Sequence, residues 1–364
     1  QAWPDYKMTA VFNYALVSHI LKDRRFGREP LDPIKFAPHL APFYTIEEHS
    51  MLELEPPRHT RLRSLVLRAF TSRRIKELAP EIEALCDDLL DTIPPDQPFD
   101  LIKHYATPIP VIIICRLLGV PETMATQLLS WSNDMVAMYQ ARRDRMIEER
   151  AARASTEFAD FIRRFAEEKR LKPADDLITQ LIAAEEAGEK LSTDELITTC
   201  ILLLNAGHEA TVHTIGNGVK ALLERNLGSA TQDADTLPTL VEEVLRFRSP
   251  NQLGNRETKA LVEIGGVAIP RGSNLQLMIG AANRDPAVFA QPEVFDITRR
   301  PNRHLAFAGG PHVCVGLTLA RLEGKIALER FIARFPDYQI LPGRQHGGRL
   351  RFRGYAALPA QLSV

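Results

Sequence analysis

The sequence contains little cysteine, and none of it is clustered. Cys86, Cys115, Cys200 and Cys314 lie far apart, and no two of them form a CxxC pair. This spacing excludes a disulfide framework and a zinc cluster, and we see no secretory leader. We therefore expect a reducing, cytoplasmic setting.

The sequence also lacks net charge and long apolar runs. Lysine and arginine number 45 and aspartate and glutamate 46, which leaves a formal net charge of −1. Such a balance argues against a protein that binds nucleic acid or an anionic membrane over its whole surface. The longest apolar run, at roughly residues 109–120, is too short to span a bilayer. Apolar residues make up 45% of the chain, enough for a large globular core.

No repeat and no low-complexity linker divides the 364 residues. One large domain is admissible at this length, and we predict a single domain over 1–364. It is expected to be helix-rich to about residue 250 and to contain β structure and the loop around Cys314 in 251–364. The chain begins at Gln1 without a methionine, so we expect that an N-terminal segment is missing.

Hydrophobic periodicity predicts a mainly α protein with a minor antiparallel β part. The helical pattern covers residues 61–78, 80–92, 108–118, 121–139 and 142–169. Two short apolar runs, 261–264 and 267–269, flank Gly265 and Gly266, which is a strong hairpin signal. Further short strands are predicted at 274–279 and within 338–362.

A long central helix is predicted from Ser192 to about Arg225. Ser192 and Glu195 match a capping box, and Leu191 with Leu196 matches a hydrophobic staple. At 1.5 Å per residue such a helix is about 50 Å long.

The middle of this helix reads Ala206-Gly207-His208-Glu209-Ala210-Thr211. Gly207 costs up to about 1 kcal/mol relative to alanine, and Glu209 would be costly if buried without a partner. Such departures from local rules often mark functional sites. Two interpretations stay open: a groove over a flat ligand in which Glu209 moves protons, or a kinked core helix whose glutamate reaches solvent.

The run from Phe307 to Gly316 places Cys314 just before another amphipathic helix. Helix N–H groups and the helix dipole favour a thiolate there, and Gly309, Gly310 and Gly316 would let backbone approach the sulfur. A sulfur held in this way suits a metal or an electrophile. One alternative is a cysteine hydrolase in which His312 acts as the base for Cys314.

Basic residues that could hold the two propionates of a haem occur in several segments. They are His59, Arg63, Arg256, His304 and His312. Each alone is common on a surface or in a core. Glu243 and Arg246 form an i, i+3 pair between the central helix and the predicted hairpin.

Together these motifs resemble the cytochrome P-450 family of haem-thiolate monooxygenases in its bacterial form. The pattern Phe-x-x-Gly-x-x-x-Cys-x-Gly falls on Phe307, Gly310, Cys314 and Gly316. The resemblance covers essentially the whole chain. It implies the P-450 fold, a triangular helical prism around a buried haem b.

Two further motifs extend the resemblance. The Glu-x-x-Arg motif falls on Glu243 and Arg246, with Arg299 as its stacking partner. The motif Ala-Gly-x-Asp/Glu-Thr falls on the central helix, although its last position is Ala210.

The resemblance implies a role for each matching residue. Cys314 would be the metal ligand, and the catalytic positions would be Glu209, Ala210 and Thr211. The residues that would contact the cofactor are His59, Arg63, Ala206, Gly207, Arg256, His304, Phe307, Ala308, Gly310, His312 and Gly316.

Ala210 departs from the family pattern, which has threonine or serine at this position. That hydroxyl helps to deliver protons during oxygen activation. Thr211 lies about 100° further round the helix, and Thr214 lies one turn away. Two hypotheses stay open: a substrate hydroxyl or an ordered water replaces the missing group, or the enzyme is less coupled and loses peroxide.

The resemblance also implies partners. We expect a small, mostly apolar substrate that is hydroxylated or epoxidised, with oxygen functions held by Asn251, Gln252 or Asn255. Electrons would come from a ferredoxin and its NAD(P)H-dependent reductase, and the protein would be a monomer. A haem-thiolate binding or sensor protein without turnover is the alternative. Basic residues expected on the proximal face are Arg61, Arg68, Arg73, Arg74, Arg321 and Lys325.

Overall fold

The computed structural model describes residues 1–3, 8–95, 97–140, 143–186, 191–227, 236–348 and 350–362. Helices dominate these ranges, as predicted. The α-helices are α1 (Tyr14–Lys22), α2 (Ala41–Glu47), α3 (Arg58–Ala69), α4 (Ser72–Glu77), α5 (Ala79–Asp91), α6 (Pro108–Leu118), α7 (Ala125–Val136), α8 (Arg145–Leu171), α9 (Leu177–Glu186), α10 (Thr193–Glu224), α11 (Thr236–Phe247), α12 (Ile279–Ala282) and α13 (Leu317–Arg334).

The strands are short and lie mostly after residue 250. They are β1 (Ala2–Trp3), β2 (Met8–Val11), β3 (Phe26–Gly27), β4 (Phe99–Asp100), β5 (Leu253–Thr258), β6 (Val262–Ile264), β7 (Val267–Ile269), β8 (Asn274–Met278), β9 (Tyr338–Ile340), β10 (Gln345–His346), β11 (Tyr355–Ala357) and β12 (Pro359–Leu362). One sheet has the order β1-β2-β8-β5-β3, and the others are β4-β12-β9, β6-β7 and β10-β11.

Several strand pairs have the predicted antiparallel character, among them β1–β2, β5–β8, β4–β12 and β9–β12. β2 pairs with β8 in parallel, which the sequence pattern did not indicate. β6 and β7 form the predicted hairpin. Gly265 and Gly266 have φ angles of 57° and 76°, as a two-residue type I′ turn requires.

The chain divides into two compact units. The first comprises residues 1–26, 72–110 and 209–364, and the second comprises residues 27–71 and 111–208. In the first unit α13 packs against α5 and α11, and its inward face includes the fully buried Ala327, Leu328 and Phe331. In the second unit α8 packs against α2, α7 and α9 through residues such as Phe158 and Ile162.

Local capping explains where the predicted helices begin and end. The helix predicted over 142–169 begins at Arg145, because the side chain of Asp144 caps it by accepting from the N–H of Ile147. The helix predicted over 61–78 is two helices, α3 and α4, separated at Phe70 and Thr71. None of the helices within the described residues is long and apolar enough to cross a bilayer.

The central helix α10 follows its prediction closely. The N–H of Ser192 donates to Glu195 Oε2 at 3.0 Å, and the N–H of Glu195 donates to Ser192 Oγ at 3.2 Å. This is the reciprocal capping box predicted from the sequence. Arg61 adds a bidentate ion pair to the same Glu195, at 2.9 and 2.5 Å.

Candidate functional site

Only one of the four cysteine side chains is exposed. Cys86, Cys115 and Cys200 are fully buried, whereas Cys314 is exposed. Burial raises the thiol pKa of Cys86 to about 12, of Cys115 to about 11 and of Cys200 to about 12. These three remain protonated at neutral pH. Cys314 is therefore the sulfur that an external metal or electrophile can reach.

Cys314 lies in a tight turn at the mouth of α13. A 3₁₀ turn over Gly310–His312 precedes it, and α13 begins at Leu317. The N–H of Cys314 donates to the carbonyl oxygen of Phe307 at 3.0 Å. Ala308 and Gly310 have φ angles of 59° and 68°. The turn thus reverses the chain and leaves the cysteine close to the start of a helix, as the sequence predicted.

Two glycines of this turn serve different purposes. A Cβ atom on Gly310 would lie 2.2 Å from the backbone oxygen of Leu21, so this glycine lets the turn pack against α1. That contact was not predicted, since Gly310 was assigned only to the approach of backbone to sulfur. A Cβ atom on Gly316 would meet nothing within 4 Å. Gly316 therefore faces open space beside the cysteine.

A buried ion pair anchors the segment that leads into the cysteine turn. Glu243 and Arg246 on α11 are both fully buried and join through two hydrogen bonds of 2.7 and 2.8 Å. Arg246 also donates to backbone carbonyl oxygens. These belong to Asn283, Pro292 and Val294.

Arg299 joins this pair, as the motif predicted. Its Nε lies 3.3 Å from Glu243 Oε2, and Asn302 donates to the same carboxylate at 3.0 Å. The side chain of Asn283 accepts from the N–H of Leu305 at 2.7 Å. The network therefore fixes the chain just before Phe307.

His304 lies in a cluster with Glu242 and Arg321. Its Nε2 bonds to Glu242 Oε2 at 3.0 Å, and its Nδ1 accepts from the N–H of Ala306 at 3.3 Å. Arg321 binds the same Glu242 carboxylate at 2.6 Å. Burial alone would raise the pKa of Glu242, but hydrogen bonds from His304 and Arg321 lower it to about 2. The contact of His304 with a propionate stays a prediction from the sequence.

Arg256 and His312 lie in the same unit as Cys314. Arg256 is buried on β5, and its guanidinium donates to the carbonyl oxygen of Asn255 at 2.8 Å. His312 is half-buried at the end of the 3₁₀ turn. Both are side chains that can bind an anionic group.

His59 and Arg63 lie one turn apart on α3, in the second unit. His59 is buried and Arg63 is half-buried. Their spacing places both side chains on one face of the helix, as predicted. Arg61 on the same helix pairs with Glu195, so its charge is already balanced and does not add to a basic patch.

Ala206 is an exposed residue in a helix whose neighbours are buried. Leu202, Leu203 and Leu204 are 9%, 7% and 3% exposed, whereas Ala206 belongs to the exposed class. A Cβ atom on Gly207 would lie 3.4 Å from Ile114 Cγ1. Gly207 thus packs against α6, whereas Ala206 is open to solvent within the second unit.

Glu209 and Ala210 follow in the first unit. The side chain of Glu209 is 13% exposed and its Oε1 lies 3.8 Å from His213 Nε2, so most of it is removed from solvent. The hydroxyl of Thr214 donates to the carbonyl oxygen of Ala210 at 2.8 Å. Thr214 is thus bound to its own helix and does not replace the hydroxyl that Ala210 lacks.

Glu323 is a functional candidate that the sequence reasoning missed. It lies on α13, nine positions after Cys314, is fully buried, and its carboxyl group is hydrogen-bonded to the side chain of Thr211. Burial raises its pKa to about 8, while the bond from Thr211 acts in the opposite direction. An acid among the apolar residues Leu319, Ile326 and Ala327 was the available signal.

Comparison with known families and proteins agrees with these motifs. The cytochrome P450 family matches residues 3–226 and 229–346. Cytochrome P450 107B1 of Saccharopolyspora erythraea is 42% identical over 308 residues, which cover 84% of this chain and 73% of the relative. The polyketide biosynthesis cytochrome P450 PksS of Bacillus subtilis is 40% identical, covering 87% and 78%. The 6-deoxyerythronolide B hydroxylase of S. erythraea is 40% identical, covering 79% and 70%.

Solved structures show the same fold. P450BioI in complex with hexadec-9Z-enoic acid ligated acyl carrier protein matches with a TM-score of 0.93 at 33% identity, covering 98% of this chain and 94% of that one. CYP109E1 from Bacillus megaterium in complex with testosterone matches with a TM-score of 0.90 at 32% identity, covering 100% and 94%. The fold, the family match and these relatives show that this chain belongs to the cytochrome P450 family of haem-thiolate monooxygenases.

Proposed function

We propose that Cys314 is the thiolate that binds the iron of haem b in this monooxygenase. Cytochromes P450 bind haem through a cysteine thiolate. The observation that carries the assignment is that Cys314 is exposed while the other three thiols are buried. The family membership removes the alternative of a cysteine hydrolase with His312 as base.

The residues present fit a haem. Gly316 faces open space next to Cys314, and Ala206 is exposed on an otherwise buried stretch of α10. Arginine and histidine donate well to carboxylates. Arg256 and His312 in the first unit would bind a propionate, and the same role for His59 and Arg63 stays a prediction from the sequence.

When bound, the haem supplies the reductive activation of dioxygen that inserts an oxygen atom into the substrate. The chain's own residues shape the environment of this reaction. Leu202, Leu203 and Leu204 exclude water from the helix face near Ala206. Glu323 on α13, whose pKa of about 8 keeps it protonated at neutral pH, is an acid held against Thr211. Glu209 is an acid on α10 itself.

Product yield distinguishes the two hypotheses about Ala210. Thr214 is excluded as a replacement by its bond to the carbonyl of Ala210, which leaves a substrate hydroxyl or water, or loss of peroxide. The test compares product per NAD(P)H and peroxide yield in wild type and Ala210→Thr. Near-complete coupling of wild type with a substrate that lacks hydroxyls would eliminate substrate assistance, and a large peroxide yield with every substrate would favour the uncoupled enzyme.

The substrate proposed is a small, mostly apolar molecule that is hydroxylated or epoxidised. In the second unit Phe43 packs edge-on against Tyr44 and Tyr139, and Phe36 stacks on Tyr44 with ring centroids 4.5 Å apart. Segments 36–51 and 135–139 therefore present aromatic surface. Among relatives, names refer to a polyketide pathway, and solved relatives hold testosterone or an acyl chain. These names support an apolar substrate with few oxygen functions.

Fewer polar side chains are available to bind such a substrate than the sequence suggested. Gln252 donates to the carbonyl oxygen of Ser249 at 2.6 Å, and Asn255 Oδ1 accepts from Arg351 at 2.8 Å. Within the described residues, Asn251 Oδ1 and Asn205 Oδ1 are buried without a hydrogen-bond donor. Both are acceptors, so they suit a substrate hydroxyl. A ligand screen by the low-spin to high-spin shift, repeated with Asn205→Leu and Asn251→Leu, tests this directly.

Electrons are proposed to come from a ferredoxin and its NAD(P)H-dependent reductase. In the first unit α4 packs against α13, which brings the segments of Arg73 and Arg74 next to that of Lys325. Arg73 pairs with Glu77, and Arg321 pairs with Glu242. Because these two arginines pair with glutamates, the surface carries less net positive charge than the number of its lysines and arginines suggested.

Charge reversal tests the basic surface on α4 and α13. Arg74→Glu and Lys325→Glu are expected to raise the ferredoxin Michaelis constant, and the effect should shrink at high ionic strength because exposed charges are then screened. Arg163→Glu, an exposed position on α8 in an i, i+3 pair with Asp160, is the control. Unchanged constants for both test variants would reject this surface.

Turnover separates the monooxygenase from a haem-thiolate sensor. Product that depends on NAD(P)H and a surrogate ferredoxin is expected. A single domain, a monomeric state and a cytoplasmic location stay predictions from the sequence.

A further inference from the structure

His213 lies one helical turn after Glu209 on α10, and the two side chains face each other. Nε2 of His213 is 3.8 Å from Oε1 of Glu209, and the side chains are 10% and 13% exposed. This distance is too long for a hydrogen bond, but it is short for an electrostatic interaction between groups that are largely removed from water. A small side-chain rotation of either residue would bring the two atoms within hydrogen-bond distance.

The opposite edge of the His213 ring packs against Gly354. A Cβ atom at that position would lie 2.1 Å from Nδ1 and 2.2 Å from Cγ of the histidine. The ring therefore needs a glycine at this position. Gly354 lies just before β11 and next to Arg353, which is exposed.

Asn217, one turn further along α10, holds this surface segment in place. Its amide donates to the carbonyl oxygens of Arg248 and Arg353, each at 3.1 Å. The N–H of Arg353 in turn donates to the carbonyl oxygen of Pro250 at 2.8 Å. The contact between His213 and Gly354 is thus part of a fixed arrangement.

Nδ1 of His213 is the unusual atom of this cluster. The residue is 8% exposed, and within the described residues Nδ1 has no hydrogen-bond partner. Native structures rarely leave a buried nitrogen in this state without another use for the side chain. Leucine or phenylalanine would fill a purely structural position at lower energetic cost.

We infer that His213 is a positioning residue that orients the Glu209 carboxylate. Nε2 of the ring faces Glu209 Oε1, and the packing of Nδ1 against Gly354 fixes the orientation of the ring. The inference rests on the proposed role of Glu209 in proton delivery. The other charged or titratable groups on the segment packed against the ring are Arg351, Arg353 and Tyr355.

The NMR signals of the ring nitrogens test the contact without any turnover. Histidine-labelled protein is measured as wild type and as Glu209→Gln, and the His213 signals are identified by their loss in His213→Gln. Because Nε2 faces the Glu209 carboxylate, Glu209→Gln should change the chemical shifts of the His213 ring nitrogens. Unchanged His213 signals would overturn the inference.

Turnover by His213→Gln gives the second readout. We expect kcat to fall roughly ten-fold or more, with an unchanged Michaelis constant for substrate. His346→Gln, at an exposed histidine on β10, is the matched control. If only Glu209→Gln lowers kcat, the role of His213 fails and that of Glu209 stands. If neither variant does, the proposed role of Glu209 fails as well.

Discussion

The side chain of Thr211 is hydrogen-bonded to the carboxyl group of Glu323. This bond joins the central helix to the helix that follows Cys314. It also places a hydroxyl and a protonated acid next to Ala210, the position at which the usual family hydroxyl is missing. The chain thus keeps a hydroxyl and an acid in contact, one position further along the helix.

Glu323→Gln is expected to change how stability depends on pH. The folded-state pKa of Glu323 is raised from its ordinary value of 4.5 to about 8. Between these values the folded state binds a proton that the unfolded state has lost, so the free energy of unfolding falls as pH rises, by up to about 1.4 kcal/mol per pH unit. Glutamine removes this component. Apparent Tm values of both proteins at pH 5.5 and 7.5 check it.

The stability advantage of Glu323→Gln over wild type should therefore grow towards the higher pH. The Tm of Glu77→Gln, at an exposed glutamate on α4, should change with pH in the same way as that of wild type. If the Tm of Glu323→Gln also changed with pH in the same way as that of wild type, Glu323 would be ionised in the folded protein, contrary to its burial.

Gly310→Ala and Gly316→Ala should distinguish a glycine that the turn needs for its own packing from one that contacts the cofactor. Gly310 has a φ angle of 68° and no room for a Cβ atom against Leu21, so alanine should lower both the stability of the apoprotein and haem content. Alanine at Gly316 meets no protein atom within 4 Å. Gly316→Ala should therefore keep apoprotein stability and bind haem more weakly.

Thermal unfolding of the apoproteins and haem titration measure the two effects separately. Equal losses of apoprotein stability in both variants would contradict the assignment of Gly316 to the cofactor.

Glu243→Gln should be strongly destabilising. It leaves Arg246, which is fully buried, without its charged partner, and breaking a buried pair in this way costs about 3–5 kcal/mol. Loss of the pair also frees the segment before Phe307, so haem content should fall. Arg73→Gln breaks the exposed pair with Glu77 and should change Tm very little, because solvent screens such pairs. Similar Tm values for the two variants would contradict the anchoring role of Glu243.

Much of the fold could be predicted because its signals are local. The capping box at Ser192 and Glu195 and the glycine pair in the β6–β7 hairpin depend on residues close in sequence. The parallel pairing of β2 with β8 joins residues more than 250 positions apart, such as Thr9 and Leu275. No local pattern reports such a contact.

In the candidate site, too, local motifs could be predicted, whereas contacts between residues distant in sequence could not. The family pattern predicts Cys314 as the metal ligand, because motif spacing is local. It did not identify Glu323, which becomes significant only when folding brings it against Thr211. It did not indicate the bonds of His304 to Glu242 and Ala306, and it counted Arg61 as an available charge although Glu195 neutralises it.

The absorption spectrum of the reduced, carbon-monoxide-bound protein tests the central claim most directly. Wild type should show the strongly red-shifted Soret band of thiolate-ligated haem. Cys314→Ser should lose that shift, whereas Cys115→Ser, which changes a buried thiol in α6, should keep it. A red-shifted band that persists in Cys314→Ser, or is absent from haem-loaded wild type, would contradict the account.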